Sequence, residues 1–129
     1  MVTVSGQAPR VLAREEVPPE LARRTEGLAP GVYVTSHRRR IYVLVSAGEQ
    51  RTAGYELRLT GSPAEQFARG RLEVQLLGPP PGAMVAQVLT HPFLAVDAGE
   101  GPVLLREASL LRGKARQPLP INFWGEMPP

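Results

Sequence analysis

A small, mainly β (all-β) domain, built as an antiparallel sandwich or a barrel with one or two short helices, is expected from this chain on three grounds. From position 31 onward its apolar residues fall in short runs rich in Val, Ile, Leu and Tyr, each closed by Gly or Pro. About seven or eight such runs recur, at the spacing that sandwiches and barrels share. The 13 glycines and 14 prolines supply the turns that so many short strands require. With 129 residues, 43% of them hydrophobic, the chain can bury one core, so a single domain over 1–129 is expected. Its parts are an N-terminal strand and short helix over 1–30, a core over 31–109 and an extended C-terminal arm over 110–129.

From Pro18 to Gly27 the order of residues is that of a short helix: proline at the start, Glu20 in the first turn, Arg23 and Arg24 later, Gly27 as the stop. Leu21 and Ala22 are its main apolar residues, and a helix this short persists only if they dock on something larger. Val32–Thr35 and Ile41–Val45 flank a polar stretch, Ser36-His37-Arg38-Arg39-Arg40, and read as a hairpin with that stretch as its turn. The second strand is apolar on both faces and is expected to be central, whereas Tyr55–Thr60 and Leu72–Leu76 alternate and should each keep one wet face. Between them, Ser62-Pro63-Ala64-Glu65 matches a capping box with Gly70 as a stop, giving one helical turn or a long hairpin loop. Pro79-Pro80-Pro81-Gly82 lacks the N–H groups of a ladder and must be a stiff connection. Met84–Leu89 and Phe93–Val96 read as strand segments interrupted by Pro92, through a bulge, an edge or a kink; an exposed edge there would invite self-association into a homo-oligomer. Val103–Glu107 is a further strand, and the tail from Leu110 is read as an arm lying over the domain, anchored by Trp124.

Several chemistries lack their residues. With no cysteine there is no disulfide scaffold, Cys-ligated zinc, iron–sulfur cluster or thiol catalysis. Asp97 is the sole aspartate and His37 and His91 are the sole histidines, so neither a metal-ligand cluster nor a Ser/His/Asp constellation framed by a nucleophile elbow can be read. Gly99-Glu100-Gly101-Pro102 is a turn rather than a phosphate cradle, because Pro102 removes an amide. No catalytic residue, metal or cofactor is therefore assigned, and the chain is not expected to be an enzyme. Fifteen basic against twelve acidic residues leave a charge of only +3. All the bases but Lys114 are arginine, which together with the prolines fits a GC-rich or heat-loving source. The densest basic patch, Arg38-Arg39-Arg40, is expected to be a solvated hairpin tip with His37 at the surface beside it; without accompanying exposed aromatics it does not make nucleic acid the favoured partner. His91 is expected at a strand edge, hydrogen-bonded to backbone. No apolar run of membrane-spanning length and no signal-peptide pattern occur in the sequence, which as written points to the cytoplasm.

Two segments say more. Val45-Ser46-Ala47-Gly48-Glu49-Gln50-Arg51-Thr52-Ala53-Gly54-Tyr55 is followed, after an alternating strand pair, by Pro79-Pro80-Pro81-Gly82-Ala83-Met84-Val85-Ala86-Gln87-Val88-Leu89-Thr90-His91-Pro92-Phe93. Together they resemble the C-terminal domain of the protease-complex subunit PrcB family, whose members show a G-x-x-x-T-G-G-Y-like stretch and then P-x-P-G-x-x-V-x-Q-x-L-T-x-P-Y/F. The resemblance runs from Ile41 to Glu107, about half the chain, and departs from the family at Ala53, where glycine is usual. It implies a small non-catalytic β domain that serves a protease complex as a partner of the protease. Thr52-Ala53-Gly54-Tyr55 also resembles the T-T-G-Y/F loop that chagasin-type inhibitors insert into a cysteine-protease cleft. PrcB-type subunits are often exported lipoproteins; this chain shows neither signal peptide nor lipobox cysteine, which implies either a start internal to the mature form or a cytoplasmic member.

The same residues have a physical logic of their own. Gly54 permits a tight entry into a strand, Tyr55 buries a ring while its hydroxyl reaches a polar partner, and the proline run is a preformed surface that loses little entropy on binding. The expected function is therefore protein binding, with a protease as the partner, through Arg51, Thr52, Gly54 and Tyr55 and through Pro79, Pro80, Pro81 and Gly82. The alternative is a small-molecule or nucleic-acid binding module that uses Arg38, Arg39 and Arg40 with Arg51.

Overall fold

A computed structural model describes residues 8–126. In chain order the strands are β1 (Arg10–Val11), β2 (Gly31–His37), β3 (Arg40–Ser46), β4 (Glu56–Leu59), β5 (Arg71–Leu77), β6 (Phe93–Asp97), β7 (Glu107–Arg112), β8 (Ala115–Pro118) and β9 (Ile121–Glu126). The helices are α1 (Pro19–Arg24) and α2 (Pro63–Arg69), with one 3-10 turn at Arg14–Glu16. The strands form two open sheets rather than a barrel, one in the order β1-β6-β3-β2-β9 and one in the order β4-β5-β7-β8.

The doubly apolar run at Ile41–Val45 takes the middle position its pattern demands. Its inward residues Val43 and Val45 join Val32, Val34, Leu94 and Val96 of the same sheet and Leu57, Leu72, Val74, Leu76 and Leu110 of the other in the main core. Its outward residues Tyr42 and Leu44 are buried as well, because Leu12, Val17 and Leu21 cover them together with Tyr33 and Ala95. Helix α1 is thus held as its length requires, through Leu21, which is fully buried. The second sheet has no such cover: β5 alternates buried Leu72, Val74 and Leu76 with exposed or half-buried Arg71, Glu73 and Gln75.

Helix α2 realises the capping pattern over two turns rather than one. Ser62 Oγ accepts the Glu65 N–H at 3.4 Å, and Gly70 closes the helix in the left-handed region at φ +71. A Cβ at Gly70 would lie 2.8 Å from the Leu104 carbonyl, so only glycine fits this close approach.

Five expectations are corrected. The β2–β3 turn is only Arg38-Arg39, at φ +51 and +70, while Ser36, His37 and Arg40 are paired strand residues. His37 is buried, not at the surface: alternation along β2 puts it on the face that α1 covers. Met84–Leu89 forms no ladder, and Val103–Leu105 is irregular because Leu105 is anchored in the core and the backbone amides of Arg106 and Glu107 both reach Gly70 O, at 2.8 and 3.2 Å, before β7 begins. The tail does not lie over the domain: β7 runs parallel to β5, and β9 runs parallel to β2 as an edge of the first sheet. Trp124 does anchor it, with its ring centroid 4.9 Å from that of Tyr33 and 5.0 Å from the Arg24 guanidinium.

Candidate functional site

The loop after β3 and the long connection between β5 and β6 are far apart in sequence and meet in space. Gly54, at φ +94, is placed so that a Cβ would stand 3.1 Å from Pro79 Cβ and 3.3 Å from a Val85 methyl. Gly78 lies against the Tyr55 ring, whose edge is 3.1 Å from where its Cβ would be. The Ala53 N–H donates to Ala86 O at 3.0 Å, and Gln50 and Thr90 exchange both backbone hydrogen bonds at 2.8 and 2.9 Å. The Thr90 hydroxyl donates to Thr52 O at 2.8 Å. At the base of the loop Gly48 stands at φ +82 over the ring of Pro30, 2.8 Å from its Cγ by the same measure. Every glycine of these two segments thus has a positive φ or a close approach, and Gly82, at φ +80, has the first alone. Ala53 is not at positive φ, so alanine costs nothing there.

What the pair of loops presents outward differs from what holds it together. Thr52, Tyr55, Pro79 and Val85 are half-buried, while Arg51, Gly54, Pro80, Pro81 and Gly82 are exposed. Beyond the proline run, Met84 is 100% exposed, with Val88 and Leu89 at 51% and 62%. This apolar ridge escapes a pattern search, because a run such as Met84-Val85-Ala86-Gln87-Val88-Leu89 reads as a buried strand. One signal does mark it: no residue from Gly78 to Thr90 is charged. Arg51 beside it makes no ion pair with any described residue, while Glu49 faces His91 at 3.6 Å. His91 therefore neighbours a carboxylate instead of the backbone partner expected of it.

The basic patch is divided. Arg38 and Arg39 are exposed at the hairpin tip, but Arg40 donates through Nε to both oxygens of Asp97, at 3.1 and 3.0 Å, which raises the guanidinium pKa further through that hydrogen bond first and the adjacent charge second. Asp97 also accepts the Gly99 N–H at 2.9 Å. Arg51 lies past the opposite end of β3, whose seven residues span roughly 20 Å, so Arg38–Arg40 and Arg51 do not make one surface.

Elsewhere, a cleft of about 430 Å³ of mixed polarity between the 3-10 turn and β4 is lined by Leu12, Arg14, Leu57, Arg58 and Phe93, and its carboxylate, Glu56, is paired with Arg58 at 3.2 Å. Among the described residues no group of His, Asp and Glu is placed to hold a metal ion, and no helix is long and apolar enough to cross a membrane.

The fold and the loops together define a two-sheet β domain bearing a rigid, exposed loop pair. Residues 41–97 match the family described as PrcB C-terminal. The matched stretch holds β3, β4, α2, β5, the loop pair and β6, and so contributes strands to both sheets. No curated protein and no solved structure matches the chain significantly.

Proposed function

We propose that the chain is a non-catalytic protein-binding domain of a protease-associated assembly, and that it engages its partner through the loop pair 51–55 and 79–89. The observation that carries this reading is the packing of Gly54 on Pro79 and Val85, which joins both family motifs into one exposed surface. Three prolines, a glycine contact and a two-bond bridge fix that surface in advance, so little conformational entropy is lost on association. Its outward side chains are uncharged apart from Arg51 and, Gln87 aside, mostly apolar, the composition of an interface core with a cation at its rim. The family supports a protease complex as the setting; whether the domain assembles or inhibits the protease follows from the captured partner's activity.

The test is affinity capture from a lysate of the source organism, with the wild-type chain, Pro80→Ala with Tyr55→Ala, and Arg38→Ala with Arg39→Ala as baits. A protease recovered by the wild type and the arginine variant but lost from the loop variant is the expected result. Retention by the loop variant with loss from the arginine variant would instead favour the basic hairpin tip.

A further inference from the structure

Of the backbone groups of Val85–Leu89, only the Ala86 carbonyl meets another backbone group of the described residues. Because Gln50 and Thr90 exchange both hydrogen bonds, the N–H and C=O of Thr90 point toward the 50–53 loop. Backbone groups alternate sides along an extended chain, so Val88 and Ala86 face that loop too, and the Ala86 carbonyl indeed accepts from Ala53. The Thr90 hydroxyl occupies the Thr52 carbonyl and ends the ladder there. Val85, Gln87 and Leu89 consequently turn their N–H and C=O groups to the opposite side, where no backbone group of the described residues meets them.

Every true edge strand of the molecule carries a device against pairing. β1 is two residues long, β4 carries Glu56 and Arg58, β8 carries Arg116 and ends in Pro118, and β9 is bulged and carries Glu126. The Val85–Leu89 edge has neither charge nor proline. Its residues have the composition of a strand, and the one exposed ion beside it, Arg51, one step along from the Gln50–Thr90 bridge, lacks a carboxylate.

We propose that Val85–Leu89 is a docking edge that takes an extended peptide segment of the protein partner as an added strand, with an acidic side chain of that segment on Arg51. This rests on the protein-binding reading above and specifies its mode. A second copy fits less well, since two-fold pairing of this edge would bring together two uncharged strands and two Arg51 side chains with no acid for either.

The experiment titrates the full chain, labelled with nitrogen-15, with the synthetic peptide Ac-VEVTVEV-NH2, its basic counterpart Ac-VKVTVKV-NH2, and the acidic peptide N-methylated at alternate residues. Slowed amide exchange at Val85, Gln87 and Leu89 is expected, greater than at Met84, Ala86 and Val88. Methylation should weaken binding by at least about tenfold, and the preference for the acidic peptide should vanish in Arg51→Gln. Gln87→Pro should abolish the protection, and if that variant fails to fold the methylated peptide decides alone. Equal binding of the methylated peptide, protection elsewhere, no protection by any peptide, or protection of the same amides by dimerisation without peptide would each overturn the proposal. Peptide pairing without protease capture would sink only the protease reading, whereas protease capture that survives Gln87→Pro in a folded variant would sink only the docking edge.

Discussion

Gly54 shows how a single residue serves the site. Alanine there must adopt φ +94 and drive a methyl to 3.1 Å from Pro79, so Gly54→Ala should destabilise by about 1–3 kcal/mol in urea unfolding and open the loop pair. Asp97 plays a comparable part at the other end of β3. Asp97→Ala leaves the Gly99 N–H and the Arg40 guanidinium without their acceptor and should cost about 1–3 kcal/mol by the same assay. The two buried tyrosines set the alkaline limit. Burial raises the phenols of Tyr33 and Tyr42 above their ordinary 10.0, so the unfolded chain loses those protons first. Their contribution is intact below pH 10 and falls as pH rises beyond it; melting temperature should therefore drop above pH 10, less steeply in Tyr42→Phe. His37 was not legible as a buried residue, because Thr35 and His37 are polar and nothing local shows that Glu20 of α1 comes to 3.7 Å from the His37 ring.

At the scale of elements, helix α1 is six residues long and stays folded because Leu21 completes the outer apolar cluster. Leu21→Ala should cost about 2–5 kcal/mol, and exchange protection should be lost first along α1 and the outer face of β3. Helices and hairpin were legible since each is written locally: Pro18 and Gly27 bound α1, Ser62 and Gly70 bound α2, and Ile41–Val45 is apolar on both faces. The parallel pairings of β5 with β7 and β2 with β9 join residues far apart in sequence, and nothing local in Glu107–Arg112 or Ile121–Glu126 names its partner. Met84–Leu89 misled for the opposite reason: its composition is that of a strand, and its ladder partner is absent from the fold.

Across the whole molecule, two sheets enclose one core, and the matched segment supplies strands to both while β1, β2, β7, β8 and β9 complete them from outside it. Tyr55 ties the loop pair to that core, while Met84 beyond the prolines stands clear of it. Met84→Ser should therefore leave stability within about 0.5 kcal/mol of wild type, since Met84 is fully exposed, so any loss of partner binding by this variant reports on the surface alone. Both loops stand out in the sequence through glycines and prolines that only a turn or close contact requires; that they touch, and that the ridge beyond them is bare, came from three-dimensional placement. The central claim is that this ridge meets the partner, and photo-crosslinking in source-organism cells tests it most directly. With p-benzoylphenylalanine in place of Met84 in one variant and Arg39 in another, a covalent adduct with a protease subunit should form from position 84 and not from 39. Adducts from position 39 alone would contradict the account.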